Sequence, residues 1–134
     1  MTRTWPFIAV ADVPTSATWY SRLLNAENTH PGSKVFDQIV DSDGTTLLCL
    51  HHWGPSGLRG DHRYASLADR GEGPAGNGLL LWFVVDDFDA TWTRAQEMGV
   101  SVEEAPNSDN GTLMRAFVIR DQDGYYVAIN EARI

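Results

Sequence analysis

Four histidines and one cysteine are the side chains of this chain that could most readily bind a metal or carry acid–base chemistry. His51 and His52 are neighbours in a strand-like run, so they would point to opposite faces and could not hold one ion together. We interpret His52 as a candidate general base or ligand-binding group, and the alternative is a rim histidine satisfied by solvent or backbone. A metal site formed by His52, His62 and Glu131 is a third interpretation.

The other candidate residues favour structural roles. Cys49 lies among leucines and is the only cysteine, so we expect a buried, unreactive thiol and no intrachain disulfide. The carboxylates of Asp86, Asp87 and Asp89 fall where a helix begins, and there they would stabilise the positive end of its dipole. The glycines of residues 71–78 lack the lysine of a phosphate-binding loop.

The composition argues against two classes of partner. A formal net charge of −8 disfavours nucleic acid, because clustered lysine and arginine are needed to hold a phosphate backbone. No run approaches the roughly 20 apolar residues of a membrane span, and no signal peptide is evident, so we expect no membrane partner and a cytoplasmic location. The acidity suits a cationic ligand, although solubility is the simpler explanation.

The chain contains one pattern of elements twice. Asp-Ser-Asp-Gly at 41–44, leading into an apolar run, is echoed by Asp-Gln-Asp-Gly at 121–124. A repeat of this kind usually places the working surface between the two halves. Hydrophobic periodicity and turn residues predict two helices, over about 14–24 and 87–98. They predict strands over 5–10, 34–40, 45–53, 79–85, 100–104, 114–120 and 125–131, with a glycine-rich connector over 54–78 that could act as a lid.

Alternation along the predicted strands selects one set of side chains for an inner face. Trp5 and Phe7 share a face of the first strand, and the matched turns align Leu48 with Ala128. We therefore predict a ligand-binding set that is largely aromatic and apolar: Trp5, Phe7, Leu48, Leu50, His52, Leu80, Trp82, Tyr126, Ala128 and Asn130. The alternative is that these large side chains fill the interior and leave a closed core.

Several segments carry a resemblance to a known family by their order and spacing: residues 10–13, 16, 19–24, 85–90, 99–100 and 120–126. Through them, and across almost its whole length, the chain resembles the vicinal oxygen chelate superfamily, which includes glyoxalase I, extradiol dioxygenases, fosfomycin-modifying enzymes and bleomycin resistance proteins. It implies an α+β fold of two βαβββ modules that form a curved mixed sheet around a shared cavity, commonly in a homodimer. Within a single domain over 1–134, we expect module one over about 3–56, the connector over 57–78 and module two over 79–134.

In the metalloenzymes of this superfamily, the first and last strands of each module supply the metal ligands. The resemblance carries these positions onto Trp5, Leu48, Leu80 and Ala128. None of these side chains offers a lone pair that can bind a divalent cation. We therefore predict a chain that holds no metal and no other cofactor.

These observations lead to three hypotheses about function. The first is a metal-free small-molecule-binding protein similar to the bleomycin resistance proteins, sequestering a bulky aromatic or cationic compound. The second is a lyase, dioxygenase or isomerase of the same superfamily, with relocated metal ligands or with His52 or Tyr126 as acid or base. The third is a structural or regulatory partner with a filled core.

Overall fold

The computed structural model describes residues 1–54, 64–73, 75–109 and 114–132. His62 and much of the predicted connector lie outside the described residues. The chain divides into two compact units, Met1–Gly73 and Pro74–Ile134. No helix in the described part of the chain is long and apolar enough to span a membrane.

The first unit is a four-stranded mixed sheet with one helix. Its elements are β1 (Phe7–Val10), α1 (Val13–Leu24), β2 (Glu27–Asn28), β3 (Phe36–Val40), β4 (Thr46–His52) and a single 3-10 turn (Ala65–Leu67). The strand order is β1-β4-β3-β2, with β1 parallel to β4 and the other pairs antiparallel.

The second unit repeats this arrangement. Its elements are β5 (Leu80–Val85), α2 (Phe88–Glu97), β6 (Ser101–Asn107), β7 (Ala116–Arg120) and β8 (Tyr126–Glu131). The strand order is β5-β8-β7-β6, with β5 parallel to β8. The predicted α+β fold with two βαβββ modules is therefore confirmed. The predicted elements are all present among the described residues, and the two-residue strand β2 is an addition to them.

Both helices begin in the same way. The side chains of Asp12 and Asp87 accept hydrogen bonds from the backbone N–H groups of Thr15 and Ala90, each at 3.0 Å. Such a cap stabilises a helix by about 1 kcal/mol because it satisfies an N–H that lacks a partner in the first turn. The helix-start role predicted for the acidic cluster is thereby confirmed for Asp87.

A β-bulge distinguishes β4 from its counterpart β8. Ile39 pairs with Leu48, whereas the next residue of β3, Val40, pairs with Thr46, so Leu47 is one extra residue in β4. The pairing of β7 with β8 runs without interruption over the whole of β7. An inserted residue reverses the facing of every later side chain in its strand, because side chains alternate with a period of two.

The bulge shifts the correspondence between the two modules by one residue. Phe7 pairs with Cys49 in the first module, and Trp82 pairs with Ala128 in the second. The structural counterpart of Ala128 is therefore Cys49. The predicted alignment of Leu48 with Ala128 is wrong, because it was counted from the turns, which lie before the bulge.

The core of each unit lies on the helical side of its sheet. In the second unit the fully buried ring of Phe117 packs edge-on against Phe88, with ring centroids 5.5 Å apart, and 4.8 Å from the ring of Trp92. In the first unit α1 packs against β3 and β4, and its buried residues include Tyr20 and Leu23. Burial of such apolar surface, at about 25 cal/mol per Å², supplies most of the stability of these modules.

One glycine of the second unit is required by close packing. Gly76 has φ = 74°, and a Cβ atom at this position would lie 2.8 Å from Cε1 of the buried Tyr125 ring. Gly78 has a similar φ of 87°, but a Cβ atom there would meet nothing within 4 Å.

Gly76→Ala is therefore expected to destabilise the protein by about 2 kcal/mol more than Gly78→Ala. Both substitutions carry the same backbone strain, and only the first displaces the tyrosine ring. Urea denaturation of the two variants measures the difference. An equal decrease in the free energy of unfolding for both variants would show that the Tyr125 ring can move without a cost in stability.

Candidate functional site

One face of the second sheet exposes large apolar side chains. Leu80, Trp82 and Val84 of β5 are 49%, 44% and 61% exposed, whereas Leu81 and Phe83 between them are buried. This pattern is a clean alternation between an exposed face and the face that packs on α2.

The same side of the sheet continues across β8 and β7, where Ala116, Ala128 and Asn130 are buried. Register places Tyr126, Ala128 and Asn130 beside the three β5 residues, and Arg120, Val118 and Ala116 lie beyond them. We call these nine residues the Trp82 face. It brings together all five residues that the sequence predicted for the second module: Leu80, Trp82, Tyr126, Ala128 and Asn130.

The first sheet has a corresponding face, which we call the Phe7 face. Its members are paired across β1, β4 and β3 and include both apolar and polar side chains: Phe7, Ala9, Phe36, Gln38, Cys49 and His51. Phe7 is 42% exposed, and Cys49 is a fully buried free thiol, as expected. Burial raises the pKa of the Cys49 thiol, which favours its protonated form.

Aromatic rings cluster on the Phe7 face. The rings of Phe7 and Phe36 are stacked across β4, with centroids 5.7 Å apart. His30 lies edge-on to Phe36 at 5.3 Å, and Tyr64 lies edge-on to His51 at 6.1 Å. Sequence analysis missed Phe36 and Tyr64, because neither belongs to a strand at the start or end of its module.

Three residues predicted for the inner face lie on the other side of the first sheet. Leu50 pairs with Ile8 and His52 with Val10, and Leu48 lies on the same side as Leu50. Leu48 and Leu50 are fully buried. The prediction that these three share a face with Phe7 is wrong, because the bulge in β4 reverses the facing of the residues that follow it. His51, and not His52, lies on the same face of the first sheet as Phe7.

A charged group lies at one end of the Trp82 face. The guanidinium of Arg120 lies over the Tyr126 ring, 4.1 Å from its centroid, and donates a hydrogen bond to the Tyr126 hydroxyl. Arg120 Nε also donates to Glu103 Oε1 at 2.7 Å. The Arg120 guanidinium thus contacts both the Tyr126 ring and the Glu103 carboxylate, and these contacts fix its position.

Glu131 is held by a different group of charges. Arg115 donates to it from its backbone N–H at 2.7 Å and from Nε at 3.1 Å, and it also contacts Asp89 at 3.0 Å. The backbone N–H of Arg115, helped by its guanidinium, lowers the pKa of the Glu131 carboxyl. Glu131 pairs with Val85, which places it off the Trp82 face.

Two polar side chains on these faces are buried with one atom unpaired. His51 is 3% exposed and Asn130 is 8% exposed. His51 Nε2 and Asn130 Oδ1 have no hydrogen-bond partner among the described residues. An unpaired buried polar group costs about 1–3 kcal/mol, so its presence needs an explanation.

A separate open cavity lies at the turn between β3 and β4. Its volume is about 500 Å³, and it is lined by residues of the amino-terminal segment and the turn: Arg3, Thr4, Trp5, Asp43, Gly44, Thr45 and Thr46. Hydrogen bonds from Thr45, the side-chain bond above all, lower the pKa of the Asp43 carboxyl. Trp5 is the only member of the predicted ligand-binding set that lines this cavity.

Comparison with known proteins settles the family. The family model described as the Glyoxalase/Bleomycin resistance protein/Dioxygenase superfamily matches residues 4–129. The chain belongs to this superfamily. A sequence search of curated proteins gives no significant match.

Solved structures share the superfamily fold at low sequence identity. TioX from Micromonospora sp. ML1 aligns with a TM-score of 0.68 at 14% identity, over 99% of this chain and 98% of that one. The fosfomycin resistance protein FosX from Listeria monocytogenes aligns with a TM-score of 0.62 at 16% identity, over 100% and 95%. FosX from Mesorhizobium loti gives 0.64 at 13% identity, over 99% and 93%.

The side chains present do not fit the metal site of the superfamily's metalloenzymes. With Cys49 in place of Leu48 as the counterpart of Ala128, the positions that the resemblance assigns to metal ligands are Trp5, Cys49, Leu80 and Ala128. Cys49 is a single potential donor, and the other three positions have none. Among the described residues, no group of three or more histidine, cysteine, aspartate or glutamate side chains is arranged to hold an ion.

Proposed function

We propose that this superfamily member is a metal-free small-molecule-binding protein that sequesters a bulky aromatic or cationic compound. The observation that carries the proposal is the exposure of large apolar side chains on the Trp82 face and of Phe7 on the Phe7 face. Exposed apolar surface is costly in water, and surface of this kind marks a place where something binds.

The chemistry of these faces suits aromatic ligands. Trp82, Phe7 and Phe36 offer rings for stacking, and each stacked or cation–π contact contributes about 1 kcal/mol beyond its buried area. A few such contacts together with burial support micromolar binding. The net charge of −8 favours ligands that carry positive charge.

The enzymatic alternatives have less support. A metal-dependent lyase or dioxygenase requires several ligand donors, and the corresponding positions supply one. A metal-independent isomerase was hypothesised with His52 or Tyr126 as acid or base. However, His52 lies off the Phe7 face, and the Tyr126 hydroxyl is engaged by Arg120.

Titration of intrinsic tryptophan fluorescence tests the proposal. A panel of bulky aromatic and cationic compounds, bleomycin among them, is expected to include ligands that saturate the signal at micromolar concentration. A flat response to the whole panel would contradict the proposal.

Elemental analysis tests the metal-free part. Protein purified without chelators is expected to contain far less than one equivalent of nickel, zinc, iron or manganese. One equivalent of any of these would restore the enzymatic hypothesis. We further propose that the protein is a cytoplasmic homodimer. Analytical ultracentrifugation of the purified chain tests the dimer by its molecular mass.

A further inference from the structure

The unpaired polar atoms of the Phe7 and Trp82 faces, His51 Nε2 and Asn130 Oδ1, occupy equivalent positions of the two modules. His51 lies two residues after Cys49 in β4, and Asn130 lies two residues after Ala128 in β8. Since Cys49 and Ala128 correspond in the pairing of the sheets, His51 and Asn130 correspond as well. The same position thus carries a buried and incompletely satisfied polar side chain in each module.

The hydrogen bond of His51 fixes which ring nitrogen carries the proton. His51 Nδ1 contacts the backbone carbonyl oxygen of His52. A carbonyl oxygen can only accept, so Nδ1 must donate, and a neutral ring then keeps an unprotonated Nε2 with a free lone pair. In the neutral ring, the unpaired atom of His51 is therefore a hydrogen-bond acceptor.

Asn130 is oriented in the same way, by a hydrogen bond to the backbone carbonyl of the next residue. Its Nδ2 donates to the backbone carbonyl oxygen of Glu131 at 2.8 Å. This bond requires the amide nitrogen to face that carbonyl, so the oxygen Oδ1 is the atom left unpaired. In both modules, then, a side chain donates to the carbonyl of the next residue and presents one acceptor that has no partner within the described part of the chain.

We infer that His51 Nε2 and Asn130 Oδ1 are the polar anchors for ligands of the Phe7 and Trp82 faces, each accepting a hydrogen bond from a ligand N–H or O–H. The inference rests on the proposed function and specifies the ligand chemistry: an aromatic or cationic compound that carries hydrogen-bond donors. An acceptor held in place and kept from water is costly in the free protein and is satisfied only when a donor arrives. The acidic character of the chain favours the same class of ligand.

Two probes of nearly identical shape separate the hydrogen bond from apolar contact. Indole carries an N–H donor, and benzofuran replaces it with an ether oxygen. In titrations followed by backbone ¹H–¹⁵N spectra, indole is expected to bind about tenfold more tightly than benzofuran. The largest shifts are expected at residues 49–52 and 128–131. The ¹⁵N resonance of His51 Nε2 is expected to be that of an unprotonated ring nitrogen and to move upfield with indole only.

Apolar replacements of similar shape remove the acceptors. His51→Phe and Asn130→Leu are each expected to abolish the preference for indole over benzofuran in their own module while retaining binding of benzofuran. His52→Phe and Asn28→Leu are the matched controls. His52 pairs with Val10 and Asn28 pairs with Ile39, so both side chains lie off the two faces, and these variants are expected to keep the preference.

The outcomes distinguish the inference from the proposed function. Equal affinity for indole and benzofuran in the wild-type protein would overturn the inference and leave the proposed function standing. A preference for indole that survives both His51→Phe and Asn130→Leu would also overturn it. Failure of both probes to bind would contradict the inference together with the proposed function. The wild-type comparison stands even where a variant does not fold.

Discussion

Trp82→Ala is expected to weaken binding of an aromatic ligand to the Trp82 face by at least tenfold while changing the free energy of unfolding by no more than about 1 kcal/mol. The ring is 44% exposed and pairs with Ala128, so it borders the face without closing a core. Removing it takes away stacking and apolar contact with the ligand and leaves no cavity inside the protein. Calorimetric titration with indole and urea denaturation measure the two effects.

Val102→Ala is the control for Trp82→Ala. Val102 is a similarly exposed apolar residue of the same sheet, but it pairs with Ile119 and therefore lies off the Trp82 face. Its truncation is expected to leave the affinity for indole unchanged. Unchanged affinity for indole in the Trp82→Ala variant itself would show that the Trp82 face is not where the ligand binds.

Phe117→Ala is expected to destabilise the protein by about 3–5 kcal/mol, the largest effect on stability among these variants. Phe117 is fully buried and contacts the rings of Phe88 and Trp92, which join α2 to its sheet. Truncation leaves a cavity that neighbouring side chains cannot fill. A loss of this size consumes much of the stability of a small domain, so partial unfolding at room temperature is expected.

Phe7→Ala provides the comparison for Phe117→Ala. Phe7 is 42% exposed and stacks on Phe36, so its truncation removes one ring contact and little buried area. The expected loss is about 1 kcal/mol. Equal losses in the two variants would mean that the Phe7 face is part of a closed core. Urea denaturation followed by circular dichroism decides between the two outcomes.

The order of elements could be predicted from the sequence because several local signals agree. The repeated turns, the apolar periods and the capping aspartates Asp12 and Asp87 all indicate the same two modules. The strand β2 could not be found this way. It has two residues, Glu27 and Asn28, and its pairing with β3 depends on tertiary contact and not on a pattern of its own.

The second module's face could be predicted in full, whereas the first module's could not. Regular alternation extends through β5 and β8 without a break, so counting from Trp82 or Tyr126 gives the correct facing. In β4 the extra residue Leu47 leaves no compositional mark, because it is one more apolar residue in an apolar run. The shift becomes visible in the pairing of the strands, where Phe7 lies beside Cys49 and Val10 beside His52.

The extra residue of β4 also decides where a metal ligand could be engineered. A glutamate introduced at Leu48 would enter the interior beneath α1, where a carboxylate loses its hydration, and we expect misfolding instead of ion binding. The same glutamate at Cys49 would also be fully buried, but it would lie on the side of Phe7, at the position that corresponds to Ala128. The two modules share one arrangement of elements, and one extra residue in β4 reverses the facing of the side chains that follow it in that strand. A substitution changes one side chain, so no single substitution restores this facing.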